Sequence, residues 1–261
     1  MELSCINSDC CLLPDVKENV KKYWNERSIT FDNDVGHGAD EIECQLWKQY
    51  LTDIIGYDPK QILDVGTGTG MIAINLAELG HGVTGIDLGE KMIDIGRKKA
   101  LEKGLDITFI PGDAENPPFP DDTYDCVICR HLLWTLPHPD VAIREWSRVC
   151  RPGGLIIAID GHIMPYDYFP NPDETRLENL DEKQRLWYQM YSREVIKQLP
   201  LKHKMYVDSL MSYFSKFKLS NVQHKSVNEI SEYQKSLLSG NLQDNEHYEV
   251  NIIWGTVPRS E

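Results

Sequence analysis

The chain has 261 residues, 41% hydrophobic and 26% charged, enough apolar material to bury a full core as one large domain or one domain with an insert. Its 27 Lys and Arg against 41 Asp and Glu leave a net charge of -14, a field that repels nucleic acid and polyanionic membranes and favours a small-molecule partner. No stretch approaches the roughly 18 to 20 apolar residues of a membrane span, and the start MELSCINSDCCLLPD lacks the basic head and apolar middle of a signal peptide, so a cytoplasmic protein is expected.

Seven Cys in spacings that do not repeat predict reduced thiols rather than a disulfide framework. Cys5, Cys10 and Cys11 could fold around a soft metal, but no companion His or Cys stands at ligand spacing, so no metal site is predicted. Residues 14–58 read as mostly helical, with a loop at DNDVGHGAD. From residue 60 to 160 short apolar runs alternate with helical stretches, the signature of a parallel sheet covered by helices. The first strand is Gln61 to Val65, followed by a helix with Ile72, Ala73, Leu76, Ala77 and Leu79 on one face and Gly80 at its end. HGVTGID is the second strand, Glu90 to Lys103 a helix closed by Gly104, ITFI the third strand and YDCVIC the fourth. Cys126 and Cys129 fall in that fourth strand on opposite faces, which makes core thiols of an apparent CxxC pair. PDVAIREWSRVCR is a helix and LIIAID the fifth strand. Helical patterns follow from about Glu174 to Gln198 and Tyr206 to Phe217. SNVQHKSV and HYEVNIIWGTV then form an antiparallel pair at one edge. The expected organisation is an N-terminal helical cap (1–58), a core (59–163), a helical insert (164–218) covering the substrate, and two last strands completing the sheet (219–261).

ILDVGTGTG, residues 62–70, allows two frames. Gly68, Gly70 and Ala73 match a GxGxxA dinucleotide fingerprint, and Gly66, Gly68 and Gly70 match a GxGxG turn preceded by Asp64. Gly66 follows the strand directly, which favours the second frame, and an acid at that strand end suits an ammonium better than a pyrophosphate. Asp87 ends the second strand, where a carboxylate can accept hydrogen bonds from two ribose hydroxyls with either class of cofactor. Asp113 ends the third, where it could accept from a purine amine or, alternatively, cap its own turn.

The order DVGTGTG, GIDL, GDAENPPFP and RPGG over a hundred residues resembles the class I S-adenosylmethionine-dependent methyltransferases, in the branch that includes the ubiquinone/menaquinone biosynthesis C-methyltransferases. That resemblance implies an α/β, doubly wound (Rossmann-like), seven-stranded, mostly parallel sheet, with S-adenosylmethionine as cofactor and methyl transfer to a small-molecule acceptor as activity. It implies that Asp64, Gly66 and Gly68 surround the methionine part, that Thr67 in the same turn binds the cofactor, that Asp87 holds the ribose, that Leu88 lies beside the adenine, and that Asp113 with the backbone of Ala114 reads the adenine edge. Arg130 would offer its backbone carbonyl to the cofactor's amino group.

YWNERSITFDNDVGHG resembles the closing cap of some members of the branch, which would put Tyr23, Trp24 and His37 on the methyl-transfer chamber; the alternative is that Tyr23 and Trp24 pack the cap onto the sheet. His131 and Trp134 follow the fourth strand at the crevice, and Asp160 and His162 end the fifth. His37 and His131 are the candidate bases. Tyr166, Tyr168, Trp187, Tyr188 and Tyr191 are numerous enough to cover an aromatic acceptor, although Trp187 and Tyr191 stand at i, i+4 and can be core. The rival classes are a nicotinamide-dependent oxidoreductase, from the first glycine frame, and a non-catalytic S-adenosylmethionine-binding regulator. RHLLW stands where amino-directed nucleic-acid methyltransferases place an NPPY-type tetrapeptide, which disfavours that substrate.

Overall fold

The computed structural model describes residues 15–37, 40–161, 180–201, 207–238 and 249–259. The order is α1 (Val16–Phe31), α2 (Glu41–Ile55), β1 (Gln61–Val65), α3 (Met71–Glu78), β2 (Gly82–Asp87), α4 (Glu90–Glu102), β3 (Ile107–Pro111), β4 (Tyr124–Arg130), α5 (Pro139–Val149) and β5 (Cys150–Gly161). Then come α6 (Glu182–Met190), α7 (Arg193–Ile196), α8 (Val207–Lys216), β6 (Ser220–Ser226), α9 (Asn228–Leu237) and β7 (Val250–Thr256).

Local chemistry explains the boundaries. Asp15 and Asp40 accept the N–H of Glu18 and Glu43 and so cap α1 and α2. Gly80, at φ +90°, ends α3 with the paired bonds of a Schellman turn, His81 N–H to Leu76 O and Gly80 N–H to Ala77 O. Alternation along the central strands then divides the core between the two faces of the sheet. Leu63, Val127, Cys129 and Ile156 pack with Ala142, Ile143 and Trp146 of α5 and with Leu210 and Phe214 of α8. Ile62, Cys126, Ile128 and Ile157 pack with Trp47 and Leu51 of α2, Ile72 and Leu76 of α3 and Ile93 of α4. Cys126 and Cys129 therefore lie on opposite faces, and burial raises both thiols well above their usual range.

The seven strands run in the order β3-β2-β1-β4-β5-β7-β6. Strands β1 to β5 are parallel, and β7 is antiparallel to both β5 and β6. The chain moves outward one way from β1 to β3 and returns to β4 on the other side of β1. The sheet thus has its topological switch between β1 and β4, and a crevice opens above their carboxyl ends.

Two features depart from the expected organisation. Helix α9 lies between the last two strands, in a segment with no helix expected, and Gln234 on it reaches Glu43 of α2 at 2.7 Å. Helix α8, expected in a substrate-covering insert, contributes Leu210 and Phe214 to the core beneath the sheet. Among the described residues no helix is long and apolar enough to cross a membrane.

Candidate functional site

The crevice is closed by the turn after β1. Thr67 N–H donates to Ile86 O on β2 and Gly70 N–H to Thr67 O, each at 2.9 Å, which bends the backbone back over the strand ends before α3 starts. Gly66 and Gly68 hold φ of +68° and +56°, conformations that L side chains rarely adopt. A Cβ on Gly66 would also stand 2.7 Å from Leu132 Cδ1 in the opposite wall. Gly66→Ala is therefore expected to destabilise the protein by about 2 kcal/mol or more, from the left-handed backbone and the clash together. A urea unfolding midpoint equal to wild type would contradict that.

Three carboxylates from successive strand ends line this cleft. Asp64, on β1, is buried and accepts from Thr67 Oγ1 at 2.6 Å. Burial pushes its carboxyl up to about 7 against the Thr67 hydroxyl bond, with nearby Asp87 adding to the rise. Asp87, ending β2, accepts the N–H of Gly68 at 2.9 Å and of Gly89 at 2.7 Å, one on each oxygen. Burial raises its carboxyl too, opposed by those two bonds. Each Asp87 oxygen keeps acceptor capacity for another donor. Asp113, after β3, accepts from Glu115 N–H at 2.9 Å and from Lys17 Nζ at 2.6 Å. It therefore caps its own turn while lining the cleft.

Lys17, which sequence reasoning missed, also reaches Glu115 at 2.6 Å. Its only signal was a cation in the first turn of the cap helix; the partners lie 96 and 98 positions away. Ala114 gives its carbonyl to Trp146 Nε1 at 2.9 Å, which fixes this wall to α5. Leu88, Met92, Met71 and Ile72 supply apolar lining.

Helix α1 lies over the cleft, bringing Lys17, Val20, Trp24 and Phe31 to its wall. Asp32 at its end accepts from Thr69 Oγ1 at 2.5 Å and from Lys99 Nζ at 2.9 Å, tying the cap to the glycine turn and to α4. Tyr23, expected beside Trp24 on the chamber wall, does not line the cleft. It points to the other side of the helix, edge-on to Trp187 at 5.4 Å and Tyr191 at 5.2 Å, in the apolar contact between α1 and α6. Trp134, expected at the crevice, turns into the same cluster, 5.8 Å from Trp187. Trp187 and Tyr191 stack at 4.0 Å, so these buried rings are core that holds α6 to the cap rather than an acceptor-covering surface. His162, Tyr166, Tyr168, Cys5, Cys10 and Cys11 lie outside the described residues.

His37 and His131 are brought together from 94 residues apart in sequence, their rings stacked 5.5 Å between centroids. His37 packs edge-on to Phe31 and its Nδ1 meets Val35 O at 3.2 Å, a contact that requires Nδ1–H. His131 Nδ1 lies 3.4 Å from Asp160 Oδ1. Burial, then the Arg130 guanidinium, holds both imidazoles well below their usual range, so both rings are neutral near pH 7. Arg130 was expected to act through its backbone carbonyl. Its side chain has a separate part, because the guanidinium donates to Gly36 O and stands 5.5 Å over the Trp47 ring, anchoring the loop that carries His37.

A buried acid beside a glycine turn, a two-oxygen carboxylate at the next strand end and an apolar cap suit a nucleoside bearing a cationic tail better than a pyrophosphate. Residues 63–158 match the family model described as "Methyltransferase domain". Over 123 residues the chain is 36% identical to the ubiquinone/menaquinone biosynthesis C-methyltransferase UbiE of Pseudomonas entomophila (strain L48), covering 44% of this chain and 48% of that protein. The UbiE of Pseudomonas fluorescens (strain SBW25) is 33% identical over 152 residues, 55% of this chain and 58% of its own. The chain thus spans about half the length of the curated relatives it matches. Two solved structures share the fold at 15–16% identity. One is Haemonchus contortus phosphoethanolamine N-methyltransferase 2 in complex with S-adenosyl-L-methionine, with TM-score 0.62, covering 94% of this chain and 60% of that one. The other is a geranyl diphosphate methyltransferase in complex with GPP and sinefungin, with TM-score 0.59, covering 93% and 100%. The stretch from β1 to β5 that builds this cleft matches a methyltransferase domain model and is similar in sequence to the UbiE C-methyltransferases over about half their length.

Proposed function

We propose that the protein transfers the methyl group of S-adenosylmethionine to a small-molecule acceptor, releasing S-adenosylhomocysteine. The observation that carries this is the convergence of Asp64, Asp87 and Asp113 from three strand ends on one capped cleft beside the glycine turn. The bound cofactor would supply an electrophilic methyl group on a sulfonium. Asp87 would accept from the ribose hydroxyls, Leu88 and Ala114 would flank the adenine, and Asp64 with the backbone of Gly66 and Gly68 would face the amino-acid end. Asp64 titrates near neutrality, so a cation beside it draws out the carboxylate. Trp24 and Phe31 exclude water and present aromatic faces, whose attraction for a desolvated cation is about 0.5–2 kcal/mol. The net charge of -14 supports a small acceptor rather than nucleic acid, and the free thiols of Cys44, Cys126, Cys129 and Cys150 suit a cytoplasmic setting.

Thermal melting distinguishes this from the nicotinamide reading. S-adenosylhomocysteine at a hundred times its dissociation constant is expected to add about 2.7 kcal/mol of stability. NADH is expected to add none, because a pyrophosphate would meet the buried Asp64. Stabilisation by NADH alone would reverse the assignment. Incubation with methyl-labelled S-adenosylmethionine and a cell extract, followed by mass spectrometry, then identifies the acceptor.

A further inference from the structure

His131 is one of four described non-glycine residues with positive φ, at +53°, and the one that lines the cleft. Its N–H donates to Ile159 O at 3.0 Å, so the β4–β5 pairing continues past the end of β4 and holds that conformation. The side chain is thereby set against Asp160, the next residue of β5, which is itself buried. The other ring nitrogen, Nε2, is buried and meets no hydrogen-bond partner among the described residues. A buried polar atom without a partner is costly, and a strained residue that keeps one in a cleft wall points to a ligand.

We propose that His131 and Asp160 form a proton-accepting pair, in which Asp160 holds the Nδ1–H tautomer and Nε2 takes the proton of an acceptor bearing a hydroxyl or thiol. The inference rests on the methyltransferase reading and narrows its substrate class. The acceptor's O–H or S–H bond breaks, the proton goes to Nε2, and the electron pair stays on oxygen or sulfur. That atom then serves as nucleophile toward the methyl group that the sulfonium donor supplies. Asp160 offsets the positive charge that the ring gains and acts as the positioning residue. Among the described residues the Nδ1 of His37 meets the Val35 carbonyl rather than a carboxylate. The groups facing the His131 ring are Arg130 from β4, His37 from the loop after α1 and Asp160 from β5. Arg130 and burial keep the resting ring neutral, so at neutral pH it is ready to accept.

Two measurements test the pair. Long-range proton–nitrogen spectra of 15N-histidine protein, with and without S-adenosylhomocysteine and assigned with His131→Gln, report the tautomer and need no acceptor. Wild type is expected to show Nδ1–H with a bare Nε2. In Asp160→Asn the amide can donate to Nδ1, and the proton should move to Nε2. An Nε2–H tautomer in wild type, or an unchanged tautomer in a folded Asp160→Asn, would overturn the proposal. The second measurement follows label from S-adenosylmethionine into the small-molecule fraction of a cell extract between pH 6.5 and 9.5. His131→Gln is expected to lose about 10²–10⁴-fold at pH 7 and to regain roughly tenfold per pH unit as water ionises the acceptor. A loss that is equal at every pH, or no loss, would also overturn it. Failure of S-adenosylhomocysteine to bind wild type would instead count against the cofactor reading, leaving the tautomer result to decide the pair.

Discussion

Asp87→Ala is expected to lower the affinity for S-adenosylhomocysteine at least about 100-fold, and to lower the melting temperature of the free protein as well. Under the proposed function the carboxylate accepts from two ribose hydroxyls, and hydrogen bonds to a charged group contribute about 1.5–3 kcal/mol each. Losing both removes about 3–6 kcal/mol, or two to four powers of ten in binding. Stability falls by a separate route. The N–H groups of Gly68 and Gly89 now bond to the Asp87 oxygens, and each would be left without its acceptor in a buried turn, at about 1–3 kcal/mol apiece. Some of that is offset by deleting a carboxyl that burial disfavours when charged. Titration calorimetry with S-adenosylhomocysteine reads the first effect and unfolding by urea the second. Wild-type affinity in a folded Asp87→Ala protein would remove the ribose assignment.

Asp64→Asn should have the opposite effect on stability and a pH-dependent effect on binding. The Asp64 carboxyl moves from its ordinary 3.8 to about 7 in the fold. Between those values the folded state holds a proton that the unfolded state has released, so stability declines as pH rises through that window. The full decline is about 4 kcal/mol above pH 7. Asparagine cannot ionise and can still accept from Thr67 Oγ1, so the variant is expected to exceed wild type in stability at pH 8 and to match it more closely at pH 4. Binding of the cationic cofactor runs the other way. A positive ligand prefers the ionised carboxylate, so below pH 7 wild type must give up a proton to bind. Its affinity for S-adenosylmethionine should fall by up to tenfold per pH unit on acidification, whereas Asp64→Asn should bind weakly with a flatter profile. Parallel profiles for the two proteins would show that Asp64 does not meet the positive charge.

The core of the cleft was legible in the sequence because its parts are local to strand ends. Short apolar runs alternating with helical patterns marked β1 to β5. A residue that ends a parallel strand must face the crevice, so Asp64, Asp87 and Asp113 could be placed from the pattern of strands alone. Alternation also decided that Cys126 and Cys129 would part to opposite faces. The cap was less legible. Tyr23 and Trp24 are adjacent, so a helix points them about 100° apart, and sequence alone could not say which of the two would meet the cleft and which would meet α6. The same limit hid Trp134, whose ring leaves the crevice for the cluster of Trp187 and Tyr191.

Composition, periodicity and the glycine turn determined a doubly wound sheet, the side of it that holds the site and the three acids at its strand ends, since these follow from backbone geometry over a few residues. Tertiary structure alone decided that Lys17 pairs with Asp113 and Glu115, that α9 braces the cap, and that His131 meets both His37 and Asp160. Those contacts join residues 29 to 191 positions apart, and their geometry depends on how helices and loops pack, which no local pattern encodes.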